Sequence, residues 1–121
     1  MEEFSLGDGP EMADRLLALV LEGKKTATSW AATHGASGSE VGKRQIIKDG
    51  QNRPRAVVET VELTRCRLKD VDETFACDEG EGDLSLAYWR KEHERYFKNE
   101  GTFSENMEVY CQRFKVVKVL I

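Results

Sequence analysis

The feature that most limits what this chain can fold into is a long β-prone run over residues 55–68. β-branched residues fit the pleated surface of a sheet, and this run holds several of them between polar neighbours. Its main apolar residues are Val57, Val58, Val61 and Leu63. A turn at residues 49–52 separates it from a shorter β-prone segment at residues 44–48. We therefore expect residues 55–68 to form the central strand of a curved sheet.

Segments with helical spacing lie on both sides of these strands. Pro10 stands at the first position of a predicted helix, and Gly23 marks its end. Asp83 is predicted to cap a second long helix. The predicted helices cover residues 10–22, 70–76 and 84–98. The predicted strands cover residues 26–33, 44–48, 55–68 and 109–121, and residues 33–39 are predicted as a loop. This order predicts an α+β fold, a partly closed β-barrel of roughly five to six strands with flanking helices.

Composition is typical of one globular domain. The chain has 121 residues, of which 40% are hydrophobic and 33% are charged, and this balance opposes disorder. No apolar run approaches the roughly 20 residues that span a bilayer, and the N-terminus lacks the layout of a signal peptide. The three cysteines and two histidines show no metal-ligand spacing. We expect one domain over residues 1–121, in the cytoplasm, with reduced thiols, no metal and no membrane partner.

Charge is distributed unevenly along the chain. The net charge is −4, but residues 23–67 carry nine bases against four acids. A basic segment between acidic ones permits a local anion-binding face, although such a segment is more often a solvated surface. With a net charge of −4, the chain is not one of the strongly basic proteins that bind nucleic acid over their whole surface.

Lys24 and Lys25 lie where the first predicted helix meets the first strand after it, beside the hydroxyls of Thr26 and Thr28. A lysine crowded by a second cation and partly desolvated has a lowered pKa and can act as a base. The alternative is that both lysines only stabilise the C-terminal end of the helix.

An acidic segment over residues 78–83 is the second candidate. Its two glycines oppose regular structure, so we expect a loop. Its carboxylates belong to Asp78, Glu79, Glu81 and Asp83. Their mutual repulsion favours a raised pKa on one of them and a role as general acid or base. A calcium loop and a solvated turn are the rival interpretations.

Two further side chains have two interpretations each. His93 shares an apolar helix stripe with Trp89 and Phe97, which favours a core histidine over a catalytic one. Trp30 either stacks on a base or packs inside the barrel. The chain has no phosphate loop, Ser-His-Asp pattern or dinucleotide fingerprint, so no cofactor is expected.

Four stretches of the sequence resemble the longer form of the ASCH domain family. They are Leu-Gly-Asp at residues 6–8, the segment at residues 19–28 that contains Gly-Lys-Lys-Thr-Ala-Thr, Glu-Gly-Glu-Gly-Asp at residues 79–83, and Trp-Arg-Lys-Glu-His at residues 89–93. The Gly-x-Lys-Thr-x-Thr element within residues 23–28 is moderately specific by itself, and its combination with the two downstream motifs is strongly specific. The resemblance implies a PUA-like barrel with a cleft between barrel and helices, and a link to RNA.

The resemblance also implies a site. One bacterial branch of the family hydrolyses the amide of N4-acetylcytidine with a lysine, a threonine and a glutamate, which fall on Lys25, Thr28 and Glu79 here. In this scheme Lys25 takes the proton of Thr28, whose oxygen attacks the amide carbonyl. Glu79 orients the lysine or carries a proton. The chain departs from that branch by an N-terminal extension and a longer acidic loop, which leaves the substrate open.

A binding module or a ribonuclease in the same cleft is the alternative that the resemblance leaves open. Basic side chains then grip phosphates, Trp30 stacks a base, and the motif residues Asp83 and Arg90 contact the ligand. The predicted phosphate contacts are Lys24, Lys25, Arg44 and Arg53. The expected partner is RNA or a modified nucleoside in every case.

Overall fold

The structure is a computed structural model that describes residues 1–36 and 39–120. Within these residues the chain forms five strands and three α-helices, with two short 3₁₀ helices. The strands are β1 (Glu2–Ser5), β2 (Ala27–Ala31), β3 (Arg44–Lys48), β4 (Pro54–Arg67) and β5 (Glu108–Val119). The α-helices are α1 (Pro10–Leu21), α2 (Glu73–Glu79) and α3 (Leu86–Glu100). No helix among the described residues is long and apolar enough to cross a membrane.

All five strands belong to one curled sheet with the order β1-β3-β4-β5-β2. β1 pairs in parallel with β3, and the other neighbours are antiparallel. The 14-residue strand β4 has shifts in its register with β5, which bend and twist a strand of this length. The result is a half-closed barrel, so the predicted α+β fold with a curved central strand is confirmed.

Two clusters of buried side chains hold the helices against the sheet. The first lies between β2, β5 and the helices α2 and α3, and includes Phe75, Trp89 and Phe97. The second packs α1 onto β3 and β4 through Leu16, Leu17, Val20, Ile47 and Val58. Full burial of each large side chain contributes about 1.5–3 kcal/mol. The two clusters flank the junction between α1 and β2, where Lys25 lies.

Helix boundaries follow their capping residues. Pro10 opens α1, and the Asp72 carboxylate caps α2 by accepting a hydrogen bond from the Phe75 amide at 2.8 Å. The Ser85 hydroxyl caps α3 by accepting from the Tyr88 amide at 3.1 Å. Asp83, the predicted cap of α3, instead accepts from the Ser85 amide at 2.9 Å. The predicted cap was therefore wrong by two residues, because Asp83 stabilises the turn that leads into the helix.

Other predicted boundaries need correction as well. β1 was not predicted, because its polar residues become a strand only through pairing with β3. α2 begins later than the predicted helix at 70–76 and continues to Glu79, so residues 78 and 79 are helical rather than part of a loop. The predicted loop at 33–39 begins with a 3₁₀ turn over Ala32–His34, and its residues 37 and 38 lie outside the described residues, as does residue 121 of the last predicted strand.

Candidate functional site

A buried ion pair joins the segment just before β2 to the end of α2. The Lys25 ammonium lies 3.1 Å from Oε1 of Glu79, and the two side chains are 1% and 2% exposed. The ammonium also donates to the Glu79 carbonyl oxygen at 3.2 Å and to Glu81 Oε2 at 3.3 Å. Two carboxylates and a carbonyl therefore surround one buried cation, which offsets the cost of removing it from water.

Glycine at position 80 allows the two segments to approach this closely. Gly80 ends α2 with φ +75, in the left-handed region that glycine adopts without strain. A Cβ atom there would clash with the Lys24 carbonyl oxygen and lie 2.9 Å from the Lys25 Cα. The Thr26 amide donates to the Asp78 carbonyl at 2.8 Å and fixes the same contact. Backbone packing thus sets the position of Glu79 against Lys25.

Glu79 is held by four donors. Its Oε2 accepts from the Ser29 hydroxyl at 2.7 Å and from the Trp89 indole at 2.8 Å, and lies 3.3 Å from His93 Nε2. Oε1 accepts from Lys25. Both carboxylate oxygens are occupied, so Glu79 is fixed in one orientation.

The electrostatics of this cluster favour charged forms. Burial by itself raises the pKa of Glu79, but Lys25, His93 and the Ser29 hydroxyl outweigh burial, and the pKa lies well below the ordinary value. Burial lowers the pKa of His93, yet Glu79 and the Trp89 carbonyl hold that pKa above its ordinary value. The raised pKa predicted for one acid of this segment is therefore wrong for Glu79, because its neighbours are donors from other elements rather than acids.

The acidic side chains of residues 78–83 diverge. Asp78 accepts from Arg113 at 3.1 Å, Glu79 and Glu81 face Lys25, and Asp83 binds the Ser85 amide. The Lys25 ammonium between Glu79 and Glu81, and the separate partners of Asp78 and Asp83, offset the mutual repulsion that the sequence predicts. In the described part of the chain, no group of three or more His, Cys, Asp and Glu residues is arranged to hold a metal.

Thr28 stands between two cavities. The inner cavity, about 60 Å³, is lined by Lys25, Glu79, Glu81 and His93, and the outer cavity, about 590 Å³, shares part of its wall. Thr28 and its neighbour Ser29 line both. No side chain or backbone group of the described residues hydrogen-bonds the Thr28 hydroxyl, whereas Ser29 donates to Glu79. Thr28 therefore offers a free hydroxyl to a ligand in the outer cavity.

Trp30 lines the outer cavity as well. It lies two residues after Thr28 in β2 and faces the same side of the sheet. Its ring stacks on Tyr110 with centroids 5.7 Å apart, and its indole donates to the Gly35 carbonyl at 2.7 Å. The ring is thus held in place as one wall of the cavity.

The other predicted ligand contacts lie elsewhere. Lys24 is exposed and pairs with Glu22 at 3.2 Å, so it does not supply the crowding cation expected beside Lys25. Arg44 pairs with Glu59 at 3.2 Å and Arg53 with Asp49 at 2.9 Å. Arg90 donates to the Lys69 carbonyl at 3.0 Å. Among the described residues, these basic side chains and Asp83 line neither cavity.

The predicted triad of Lys25, Thr28 and Glu79 left out several side chains of the cluster: Trp89 donates to Glu79 at 2.8 Å, and Glu81 was named only as one of the candidate acids of residues 78–83. Ser29, Glu81 and His93 all contact Lys25 or Glu79. His93 has the satisfied hydrogen bond expected of a core histidine, to the Trp89 carbonyl at 2.8 Å, and it also faces the ion pair. Its position four residues after Trp89 is the sequence signal that places both rings on the same helix face, 4.0 Å apart.

A family model and solved structures similar to this chain indicate the same family. The model of the ASCH domain matches residues 2–118. A crystal structure of a protein from Enterococcus faecalis is 34% identical, with a TM-score of 0.87 over 98% of this chain and 77% of that chain. The ASCH domain from Lactobacillus crispatus is 30% identical, with a TM-score of 0.85 over 96% of this chain and 79% of that one.

A more distant structure supports the fold alone. The ASCH protein from Zymomonas mobilis is 10% identical and has a TM-score of 0.64 over 98% of this chain and 71% of that chain. Among curated proteins, none has a sequence that matches this chain.

Proposed function

The chain belongs to the ASCH domain family, and we propose that it hydrolyses the amide of an acylated nucleoside such as N4-acetylcytidine. One observation carries the proposal: the free hydroxyl of Thr28 lies where the outer cavity meets the buried pair of Lys25 and Glu79. A hydroxyl nucleophile beside a lysine held by a carboxylate is the arrangement that nucleophilic attack on an amide needs.

Glu79 acts by orienting Lys25. Its two oxygens already accept from four donors, and its lowered pKa makes it a weak base. Of the two roles that the resemblance implies for this glutamate, orientation of the lysine therefore fits better than proton transfer. Glu81 is more exposed, at 14%, and lies 3.3 Å from the Lys25 ammonium, so it connects the lysine to solvent.

In the proposed reaction Lys25 transfers the proton both when the amide bond breaks and when water releases the acyl group. Lys25 loses a proton through Glu81 and then takes the hydroxyl proton of Thr28 as the Thr28 oxygen bonds to the amide carbon. The carbon–nitrogen bond breaks, and Lys25 returns the proton to the departing amine. Water then attacks the acyl group on Thr28, its proton passing through Lys25 back to the Thr28 oxygen. The products are the free acid and the nucleoside with its amine restored.

Charge around the cavities favours a nucleoside over a polyanion. Glu2 and Glu3 line the outer cavity, while Glu81 and Glu92 line the inner one. In the described chain, Lys25 is the only Lys or Arg lining either cavity, and Glu79 neutralises it. A phosphodiester chain gains its affinity from Lys and Arg contacts. The cavity therefore suits an uncharged ligand better than RNA.

Substitution of the two adjacent lysines separates hydrolysis from RNA binding. Lys25→Ala should abolish release of cytidine from N4-acetylcytidine, whereas Lys24→Ala should leave it near the wild-type rate because Lys24 faces solvent. The wild-type rate should change little with salt, since a neutral nucleoside releases no counterions on binding.

The RNA-binding alternative gives the opposite pattern. Lys24→Ala then weakens binding of single-stranded RNA, and affinity falls steeply as salt rises. Absence of cytidine release by the folded wild-type protein, together with salt-sensitive RNA binding, would overturn the proposed hydrolysis.

A further inference from the structure

We infer that the buried amides of Gln45 and Gln112 form a subsite that recognises the hydrogen-bonding edge of a nucleobase. This inference rests on the proposed function only in taking a nucleoside as the ligand. It assigns the ligand class from the cavity itself: a planar base with an N–H donor next to a ring acceptor.

The two amides form the polar floor of the outer cavity. Gln45 is 4% exposed and Gln112 is 1% exposed, yet both line the cavity. The Gln112 amide nitrogen donates to Gln45 Oε1 at 3.1 Å and to Thr60 Oγ1 at 2.6 Å. The Gln45 amide nitrogen donates to the Ser39 hydroxyl at 3.2 Å. The Ser39 hydroxyl also lies 3.4 Å from Gln45 Oε1, to which it can donate, so both amides belong to one hydrogen-bonded network.

In this orientation one acceptor and one donor have no partner among the described residues. Both hydrogens of the Gln112 amide nitrogen are used, and no described residue donates to Gln112 Oε1. Because Gln112 lines the outer cavity, we place this oxygen at the cavity wall, where a ligand can donate to it. Gln45 has a second amide hydrogen that its bond to Ser39 does not use.

The acceptor Gln112 Oε1 favours ligands that present an N–H donor to it. Leaving Gln112 Oε1 without a donor when a ligand displaces water costs free energy, so a bound base must present an N–H there. The spare hydrogen of Gln45 matches an adjacent ring acceptor. An exocyclic amine beside a ring nitrogen, as in cytosine, supplies this pair. Trp30, held by Tyr110, provides a flat wall for the same ring.

The register of the sheet places this subsite beside the proposed nucleophile. Thr28 of β2 is the direct neighbour of Gln112 in β5, so their side chains lie on one face of the sheet. Directly opposed residues have Cβ atoms about 5 Å apart. In an acylated amine the carbonyl carbon is bonded to the nitrogen whose hydrogen Gln112 accepts. Holding that N–H on Gln112 therefore brings the carbonyl carbon toward Thr28.

Two nearly isosteric nucleosides test the acceptor without any turnover. N4-methylcytidine has an N–H where O4-methyluridine has an ether oxygen. Isothermal titration calorimetry should show wild-type protein binding N4-methylcytidine about tenfold more tightly, the cost of leaving one buried acceptor unpaired. Gln112→Met should bring the two affinities within roughly twofold of each other. Gln51→Met, at an exposed position outside both cavities, should keep the tenfold preference.

A second readout uses the wild-type protein alone, so a folding defect of Gln112→Met cannot hide the answer. In NMR titrations with N4-methylcytidine, the side-chain amide resonances of Gln45 and Gln112 should shift and those of Gln51 should not. Equal affinity of wild-type protein for both nucleosides, no binding of either, or unchanged Gln112 resonances would overturn the inference.

Failure of the proposed subsite and failure of the proposed hydrolysis give different results. A retained preference without hydrolysis of N4-acetylcytidine would defeat the hydrolysis and leave the subsite standing. Hydrolysis with no preference would defeat the subsite alone.

Discussion

Replacing Glu79 with Gln should be one of the most damaging nearly isosteric changes in this protein. Glu79 Oε1 faces the Lys25 ammonium, and Oε2 receives three donors, from Ser29, Trp89 and His93. A glutamine side chain has one oxygen and one NH₂ group. Whichever way it turns, the NH₂ meets either the ammonium or the three donors.

The size of the effect follows from burial. Removing one partner of a buried ion pair costs about 3–5 kcal/mol, because the other charge is left uncompensated. Glu81 remains 3.3 Å from Lys25 and still offsets part of that charge. We therefore expect a loss at the lower end, about 3 kcal/mol in the free energy of unfolding. For a domain of this size that corresponds to a fall in Tm of about 10 °C.

Denaturant unfolding monitored by tryptophan fluorescence measures this loss, with Glu94→Gln as the matched control. Glu94 pairs with Lys98 at 3.3 Å on the surface of α3, and their side chains are 47% and 62% exposed. Exposed pairs of this kind contribute about 0.3–0.5 kcal/mol. The control should therefore unfold almost as the wild type does.

The dependence on pH gives the sign of the effect. The pKa of Glu79 is lowered in the folded protein, so its stabilisation is present above the pKa of an unfolded glutamate and is lost as the pH falls through the folded pKa. The difference between wild type and Glu79→Gln should be largest near neutrality and shrink in acid. If Glu79→Gln costs no more than Glu94→Gln at pH 7, the buried pair does not organise the site.

Two further predictions concern the same cluster. Gly80→Ala should destabilise the protein by more than 2 kcal/mol in denaturant unfolding, since it adds a backbone clash to the strain of a positive φ. Gly101→Ala isolates the strain, because Gly101 ends α3 with a similar φ of +84 and a Cβ there would meet nothing within 4 Å in the described chain; equal losses would refute the close approach. NMR titration should give His93 a pKa above its ordinary value that falls in Glu79→Gln, and an unchanged pKa in that variant would contradict the assigned contact.

Local signals in the sequence predicted much of the fold. β3 was predicted at its observed bounds, and β4 was shifted by one residue, because β-branched content and a turn define them without help from the rest of the chain. α1 followed from Pro10 and apolar spacing. β1 has no such signal, since Glu2 and Glu3 gain their extended conformation from pairing with β3. Strand pairing between distant segments is not encoded in local pattern.

In the candidate site, too, local sequence predicted some residues and missed those that depend on contacts between distant segments. Spacing alone left the lysines between a catalytic base and a helix-end role, and only the family resemblance connected Lys25 with Glu79, which lies 54 positions away. The prediction of a raised pKa was wrong for Glu79 because it counted only sequence neighbours. In the fold, the groups nearest to Glu79 come from β2 and α3. Ser29 was missed because nothing in its local sequence indicates a remote carboxylate.

The rate of cytidine release from N4-acetylcytidine by Thr28→Ala protein tests the central claim most directly. The Thr28 hydroxyl makes no hydrogen bond among the described residues, so its removal should not disturb the fold or the buried pair, while it eliminates the bond formed in the transition state. Thr33→Ala, on the exposed turn after β2, is the matched control. We predict that wild type and Thr33→Ala release cytidine at similar rates, and that Thr28→Ala binds the substrate but releases none above the uncatalysed background. Release by Thr28→Ala at the wild-type rate would contradict the assignment of Thr28 as the nucleophile.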